Sequence, residues 1–202
     1  MARYTGPKNR LARKVGADLG MKTNVLKLQR RIAIRPGVHG KKMRRKQSEY
    51  GLQLSEKQKV KHVYGVLEKQ FSKLYERAAK TPASTGKVLL ALLERRLDNV
   101  VYRLGFAPTR AAARQMVAHG NVMVNGKKLS IPSYSVMIGD VVTLTDTGMK
   151  IPATAELLKE KDKAVPAWLE RSAAAGKVAK FPERGDSDAG INEQMIVEFY
   201  SR

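Results

Sequence analysis

Apolar residues recur at helical spacing over a long stretch in the middle of the chain. Such a stripe is typical of a helix with one buried face, and here it consists of Val60, Val63, Tyr64, Leu67, Phe71, Leu74, Tyr75 and Ala78. Ser55 and Gln58 have the spacing of a capping box, and the residue before Pro82 is disfavoured in a helix. We therefore expect one helix from Ser55 to about Thr81.

The other faces of this predicted helix are basic. They carry Lys57, Lys61, Lys69, Lys73, Arg77 and Lys80. A basic face is either solvated surface or a set of phosphate contacts, and the spacing alone leaves both readings open.

A second apolar stripe predicts another helix, beginning after Ser84 or Thr85 and ending at Gly105. Its members are Leu89, Leu92, Leu93, Leu97, Val100, Val101 and Leu104. Thr109 is a suitable N-cap for a short third helix that ends at His119-Gly120.

The pattern then changes to that of short strands. Val122–Val124 and Lys127–Leu129 flank Asn125-Gly126, a favoured pair for a type I′ hairpin turn. Gly139-Asp140 predicts a further turn before a strand at Val141–Leu144. Two short helices and a hairpin-rich sheet form a module of about 50–60 residues, close to the lower limit for independent folding.

Beyond Gly148 the pattern is weaker. It favours a helix near residues 153–163, a short helix at 166–171, loops over 173–190, and an apolar C-terminal segment docked on the fold. The predicted class is α+β: a mainly helical domain with a small inserted module and a basic extended N-terminal arm.

The arm is defined by its charge. Residues 1–50 contain fifteen Lys or Arg and only two acids, a net charge of +13. Because this segment has little apolar periodicity and several Gly and Pro residues, we interpret it as an extended or irregular arm that folds against its partner. A solvated, disordered tail is the alternative.

The whole chain of 202 residues has a net charge of +21. A surface this positive indicates a polyanionic partner, with nucleic acid first and an anionic membrane second. The longest apolar run, 88–93, is far shorter than the roughly 20 residues of a membrane span. The N-terminus has no apolar region typical of a secretory signal, and the chain has no cysteine. These features fit a cytosolic protein.

The sequence offers little for catalysis. His39, His62 and His119 are scattered without metal-ligand spacing, so we expect no metal and no cofactor. Glu94 and Asp98 lie one helical turn apart but adjoin Arg95 and Arg96, and an ion-pair network explains them more simply than a catalytic pair. We expect a protein that is not an enzyme.

A cluster suited to recognition falls on the third helix and its hairpin. Arginine forks suit phosphates, while Asn and His can reach sugars or base edges; the cluster comprises Arg110, Arg114, His119, Asn121, Asn125, Lys127 and Lys128. The alternative is that these residues form a charged, solvated surface without a binding role. RNA is preferred to DNA because no long recognition helix is evident.

Several motifs resemble a known family. The segments 96–106, 109–120 and 124–127 are similar to the RNA-binding module named after small-subunit ribosomal protein S4. The flanks extend the resemblance to nearly the whole chain, namely residues 1–8, 36–40, 48–59, 64–71 and 191–201. The chain is therefore identified as resembling the bacterial-type uS4 family, in the version without the N-terminal zinc-binding cysteines.

The resemblance implies a fold and a function. It implies a basic arm over residues 1–45, a helical domain over 46–92 completed by 155–202, and an S4-like module over 93–154. It implies a structural protein of the cytoplasmic small subunit that binds 16S rRNA at a junction of the 5′ domain and nucleates assembly. It also implies a position beside small-subunit proteins three and five, near the channel for incoming messenger RNA, with a contribution to translational accuracy.

The candidate rRNA-binding residues combine the arm, the first helix and the module. They are Arg3, Tyr4, Lys8, Arg10, Arg13, Arg35, His39, Lys41, Lys42, Arg44, Arg45, Lys57, Lys59, Lys61, Arg96, Arg103, Arg110, Arg114, His119, Asn121, Asn125, Lys127 and Lys128. Without cysteines, the arm is expected to be ordered by RNA. An RNA-modifying enzyme that carries the same module, and a polybasic membrane-surface protein with an exposed Trp or Phe, are the alternatives.

Overall fold

The computed structural model describes residues 4–22, 24, 26–40, 46–160, 164–188 and 190–201. The chain forms two compact units: Met1–Gly86 together with Gly190–Arg202, and Lys87–Ala189. Helices and one small antiparallel sheet make up the described residues, which confirms the α+β class. No helix in these ranges is both long and apolar enough to cross a bilayer.

Ten α-helices, one short 3-10 helix and five strands are found in the described part of the chain. The helices are α1 Lys8–Val15, α2 Leu26–Gln29, α3 Glu49–Val63, α4 Glu68–Ala79, α5 Thr85–Glu94, α6 Leu97–Arg103, α7 Arg110–Ala118, α8 Asp146–Met149, α9 Pro152–Lys159 and α10 Glu193–Tyr200. The strands are β1 Val122–Val124, β2 Lys127–Lys128, β3 Val141–Leu144, β4 Leu169–Ser172 and β5 Ala175–Val178.

The first predicted helix is in fact two helices. Ser48, not Ser55, caps α3, since its hydroxyl accepts a hydrogen bond from the amide of Gly51 at 3.2 Å. The helix ends before Gly65, whose φ of 62° is readily adopted only by glycine, and α4 begins at Glu68. The apolar period continues across the break because both helices bury that face, so periodicity alone did not reveal it.

The second predicted helix is also broken, at Arg96. This residue is extended, with ψ 135°, and bridges Ser135 while the amide of Leu97 donates to the carbonyl of Tyr134 at 2.8 Å. A distant segment therefore supplies the hydrogen bonds that interrupt the helix. The end of α6 at Leu104 and Gly105 is as predicted.

The N-terminal segment is more structured than the extended arm that charge suggested. Helix α1 buries Leu11 and Ala12 and packs on α3, and Leu28 of α2 is 5% exposed. These contacts order residues 8–15 against protein, which corrects the expectation that only RNA would order them. The predicted arm residues 41–45 lie outside the described residues.

The C-terminal helix completes the first unit. Asn192 caps α10 by accepting from the amides of Gln194 and Met195, and Ile196 is fully buried. The ring of Tyr200 stacks on that of Tyr75 with centroids 4.4 Å apart. The predicted docking of the apolar C-terminus is confirmed.

The second unit is built around the sheet, whose strand order is β2-β1-β3-β5-β4 with every pair antiparallel. The predicted hairpin is confirmed, since Asn125 and Gly126 have φ values of 51° and 76° and Val124 pairs with Lys127. Phe106 and Trp168 are fully buried in the core beside the sheet.

The two strands after residue 165 were not predicted. The expected helix at 166–171 is wrong, because residues 169–172 form β4, and the expected loop at 173–190 contains β5. Val142 of β3 pairs with Gly176 of β5, so this segment lies in the sheet of the second unit. That unit runs to residue 189 rather than ending at 154, and only the last residues of the predicted 155–202 segment belong with the first unit.

Candidate nucleic-acid interface

Helix α7 and the β1–β2 hairpin present an exposed basic edge. Thr109 caps α7 by accepting from the amide of Ala112 at 3.2 Å, and the helix ends at His119, as predicted. His119, Lys127 and Lys128 are all exposed. Neither lysine forms an ion pair with an acid in the described ranges, so their charge is available to a partner.

Glycine 120 positions one of these lysines. A Cβ at Gly120 would lie 2.5 Å from Cε of Lys128, and the φ of 71° at this residue also favours glycine. The lysine stem therefore lies against bare backbone. The end of the Lys128 side chain therefore lies beside the end of α7.

The two asparagines of the predicted cluster differ in their roles. The Asn125 side chain accepts from the amide of Val141 at 2.9 Å and donates to Asp140 at 2.8 Å, so it is engaged in stabilising the turn. Asn121 is half-buried, and its backbone carbonyl accepts from the amide of Thr145.

Two of the four candidate arginines in the second unit are buried in an internal ion-pair network. Arg96 is 5% exposed and contacts Asp98 at 3.1 and 2.7 Å. Arg114 is 8% exposed and lies 3.9 Å from the same carboxylate. Both guanidinium groups thus neutralise Asp98 inside the unit. Asp98 pairs with Arg96 as predicted and also with Arg114. Glu94 pairs with Arg103 rather than with its neighbour Arg95.

Arg103 and Arg110 lie nearer the surface. Arg103 donates to Glu94 at 3.0 and 2.6 Å, and Glu94 is completely buried. Arg110 donates to Asn99 at 2.8 Å and stacks on the Tyr102 ring at 4.6 Å. Each guanidinium is therefore fixed in direction by its neighbours on α6 and at the end of α5.

Arg95 is a residue that the sequence analysis did not single out as a binding candidate. Its guanidinium lies 4.3 Å from the centroid of the half-exposed Phe181 ring and donates to the carbonyl of Val136 at 3.1 Å. Burial lowers the pKa of Arg95 from its ordinary value. Its neighbours Met137 and Ile138 are also exposed.

The most regular basic surface lies on α4. Residues at positions i, i+4, i+8 and i+11 share one face of a helix, and here they are Lys69, Lys73, Arg77 and Lys80, all exposed. We call this set the α4 stripe. None of its members forms an ion pair with an acid in the described part of the chain. The spacing was visible in the sequence, but these residues were not among the selected candidates.

Lysines 57, 59 and 61 of α3 are paired internally. Lys57 and Lys61 contact Glu68 at 2.7 and 3.0 Å, and Lys59 contacts Glu56 and the carbonyl of Gly190. Lys57 also lies 4.2 Å above the Phe199 ring. These contacts join α3, α4 and α10 within the first unit.

Glu68 is the centre of that cluster. Burial alone would raise its pKa, but hydrogen bonds from Lys57, Lys61 and Tyr200 outweigh burial and lower the pKa to about 2. Burial raises the pKa of Tyr200, and Glu68 raises it further. The hydroxyl of Tyr200 donates to Glu68 at 3.0 Å, so the cluster is fixed with Glu68 ionised.

The N-terminal candidates are only partly placed. Tyr4, Arg10 and His39 are exposed, while Lys8 and Arg35 are half-buried. Arg13 donates to the carbonyls of Ile34 and Arg35 at 2.8 and 3.0 Å. Arg3, Lys41, Lys42, Arg44 and Arg45 lie outside the described residues. Further exposed cations, missed among so many basic residues, are Lys14, Lys22, Lys27, Arg30 and Arg31.

Two family descriptions match the chain. Residues 3–94 match the Ribosomal protein S4/S9 N-terminal domain and residues 95–142 match the S4 domain. A small ribosomal subunit protein uS4 of Parabacteroides distasonis is 49% identical over the full length of both chains. Proteins of the same name from Roseiflexus castenholzii and Chloroflexus aurantiacus are 48% and 49% identical, again over the full length of both.

The S4 domain and the exposed basic helices define a ribosomal RNA-binding protein of the structural, non-enzymatic class. The full-length identity makes the assignment specific. The chain belongs to the uS4 family of small ribosomal subunit proteins, which confirms the resemblance found in the sequence and assigns the protein to the cytoplasmic ribosome.

Proposed function

We propose that the protein binds 16S rRNA directly at a helical junction in the 5′ domain and nucleates assembly of the small subunit there. The observation that carries the proposal is the set of exposed cations on the α4 stripe and the hairpin, which form no ion pair with an acid among the residues that the structure describes. Lysine and arginine that neutralise phosphates release counterions, and this release supplies a large share of RNA affinity.

The internal pairing of other cations sharpens the proposal. An exposed lysine without an acid neighbour gains a full ion pair when it meets a phosphate, whereas a buried and paired arginine must first lose a partner. The proposal therefore assigns phosphate contact to the α4 stripe, Lys127 and Lys128, with His119 and Asn121 beside them. Arg96, Arg114, Asn125, Lys57, Lys59 and Lys61 act by holding the fold.

The N-terminal candidates remain part of the proposal. A set of N-terminal residues is proposed to contact RNA because they lie in the most basic segment of the chain, residues 1–50. They are Arg3, Tyr4, Lys8, Arg10, Arg13, Arg35, His39, Lys41, Lys42, Arg44 and Arg45. Arg13 is proposed to contact RNA while its guanidinium keeps its hydrogen bonds to the carbonyls of Ile34 and Arg35.

We extend the proposal to the surroundings by family membership. The protein is proposed to lie beside small-subunit proteins three and five, close to where messenger RNA enters, and to contribute to translational accuracy. The support is the resemblance over the full chain. The alternative of a membrane-surface protein expected an exposed Trp or Phe beside lysines. Trp168 cannot serve this purpose, because it is fully buried.

The proposal is tested by measuring affinity for the isolated 5′ domain of 16S rRNA across a salt series, with a tRNA as competitor. We expect tight binding that survives the competitor and falls steeply with salt. Equal affinity for both RNAs would reduce the protein to a generic polycation and contradict a specific site.

A matched pair of variants locates the hairpin contact. Lys127→Gln with Lys128→Gln should weaken 5′ domain binding and reduce the salt slope by roughly 1.4 to 1.8 units, since each lost phosphate contact removes about 0.7–0.9. Lys150→Gln with Lys159→Gln removes the same charge from exposed positions of the same unit. Equal effects of the two pairs would assign the loss to net charge and remove the hairpin from the interface.

A further inference from the structure

Arg103 and Arg110 share one acidic partner at the end of the second unit. Nη2 of Arg103 lies 3.1 Å from one carboxylate oxygen of Asp188, and Nη2 of Arg110 lies 2.7 Å from the other. A single anion with two oxygens therefore bridges two guanidinium groups. The two non-bridging oxygens of an RNA phosphate offer the same kind of bridge.

Both arginines keep their orientation through other contacts. Arg103 donates two hydrogen bonds to the buried Glu94, and Nε of Arg110 donates to Asn99 at 2.8 Å. Asn99 in turn donates to Glu94 at 2.6 Å. The pair of forks is therefore held in place by α5 and α6, and Asp188 is not needed to orient it.

Asp188 covers these groups from the outside. Its side chain is 32% exposed, against 15% for Arg103 and 11% for Arg110. It lies on the segment that follows the short 3-10 helix Arg184–Asp186, beyond the last strand of the sheet. An anion that approaches from solvent meets Asp188 first and gains access to both forks if that carboxylate withdraws.

We infer that Arg103 and Arg110 form a binding site for a backbone phosphate of RNA, and that Asp188 occupies this site until RNA displaces it. The inference rests on the proposed function and adds a particular subsite to it. Asp188 costs affinity in this arrangement, because its ion pairs must be broken on binding. In return, it keeps two nearly buried cations paired in the free protein.

The test is a double-mutant cycle on RNA affinity. Asp188→Asn should raise affinity for the 5′ domain roughly tenfold at about 0.15 M salt, because the competing carboxylate is removed while the size of the side chain is kept. In an Arg103→Gln, Arg110→Gln background the same substitution should change affinity less than about twofold. Glu170→Gln, at an exposed position of the same unit, controls for the change in net charge.

Three results would overturn the inference. They are a loss of affinity in Asp188→Asn, a gain no larger than that of Glu170→Gln, and a gain that persists without the two arginines. These results are distinguishable from a failure of the proposed function. The proposed function is tested by the preference of the wild-type protein for the 5′ domain over tRNA, whereas the double-mutant cycle can be measured with either RNA.

A second measurement needs no variant and covers the case in which Asp188→Asn folds poorly, or in which Arg103→Gln destabilises the fold by leaving the buried Glu94 without its cation. In wild-type protein labelled with ¹³C at the aspartate carboxyl carbons, RNA should move the Asp188 resonance to the position of a solvated carboxylate. A resonance that stays unchanged at saturating RNA would show that Asp188 keeps its arginines in the complex and would contradict displacement.

Discussion

The basic residues of α4 and those around α6 and α7 differ in whether they are paired with acids. On α4, Lys69, Lys73, Arg77 and Lys80 share one exposed face without acid partners in the described residues. Around α6 and α7, Arg96, Arg103, Arg110 and Arg114 turn toward Glu94, Asp98 and Asp188. Each set carries four positive charges, three Lys and one Arg on α4 and four Arg around α6 and α7. The two sets differ in the acids that the fold brings within reach of them.

This comparison teaches how to interpret a net charge of +21. A cation contributes to polyanion binding when folding leaves it without an acid partner, or with one at the surface, such as Asp188, that RNA can displace. Where an acid is buried beside it, the same residue type stabilises the fold, because neither charge can be left alone in the interior. In the described residues, the exposed cations of the α4 stripe and the hairpin are among those that keep their charge available to a partner.

The largest expected effect comes from the buried acid. Glu94→Gln should lower the free energy of unfolding by about 3 kcal/mol, because it leaves Arg103 and Asn99 without their buried anion. The estimate is at the low end for a buried pair because Asp188 still faces Arg103. Urea unfolding followed by circular dichroism measures the change.

Glu170→Gln is the control for this substitution, since Glu170 is exposed on β4 and should stay within about 0.5 kcal/mol of wild type. A Glu94 variant that unfolds like the control would show that the network does not stabilise the unit.

The next effect concerns the α4 stripe. Replacing Lys69, Lys73, Arg77 and Lys80 by Gln should weaken 5′ domain binding on the order of 10²-fold at about 0.15 M salt and reduce the salt slope by about 3 units. Stability should be retained, because the four side chains are exposed. Filter binding across a salt series measures the slope, and an unaltered slope would exclude the stripe from the interface.

A smaller effect is expected in the Glu68 cluster. Tyr200→Phe removes the hydrogen bond to Glu68 and should cost about 1 kcal/mol of unfolding free energy. Tyr75→Phe removes a longer bond, 3.4 Å to the carbonyl of Val197, and should cost less. The reverse order in chemical denaturation would show that Tyr200 acts through ring stacking alone.

The last effect depends on pH. Burial, with Lys61 and Lys14 nearby, lowers the pKa of His62 from 6.5 to about 4. Between these two pH values, His62 is protonated in the unfolded chain but stays neutral in the folded chain. The free energy of unfolding therefore falls as the pH drops from 6.5 toward 4. His62→Gln should flatten this part of the profile.

The free energies of unfolding of His62→Gln and wild type between pH 7 and 8 give the baseline, since His62 is neutral there in both states.

Glu68 contributes a pH dependence at lower pH, because its stabilising charge is present above pH 4.5 and is lost as the pH falls toward about 2. A profile that remains as steep in His62→Gln between pH 6.5 and 4.5 would assign that slope to other groups.

Local signals in the sequence were sufficient for several elements. The Thr109 cap, the end of α7 at His119-Gly120 and the Asn125-Gly126 turn are each encoded within a few residues. The breaks at Gly65 and Arg96 were not predicted, because the apolar period continues through both. Strand β5 was missed because its pairing with β3 joins residues more than thirty positions apart.

The candidate site was predictable as a class but not residue by residue. Charge and motifs identified α7 and the hairpin, yet only the fold shows that Asn125 is engaged in its own turn and Arg96 in a pair with Asp98. For the α4 stripe the spacing was present in the sequence. The sequence did not show that none of its four cations forms an ion pair with an acid in the described residues.

One matched substitution tests the central claim, that exposed cations bind RNA while buried ones hold the fold. Arg77→Gln and Arg96→Gln make the same chemical change at an exposed and a buried position, and each variant is measured for its salt slope on the 5′ domain. We predict a slope reduced by about one unit in Arg77→Gln and an unchanged slope in folded Arg96→Gln. A reduced slope in Arg96→Gln with wild-type behaviour in Arg77→Gln would contradict the account.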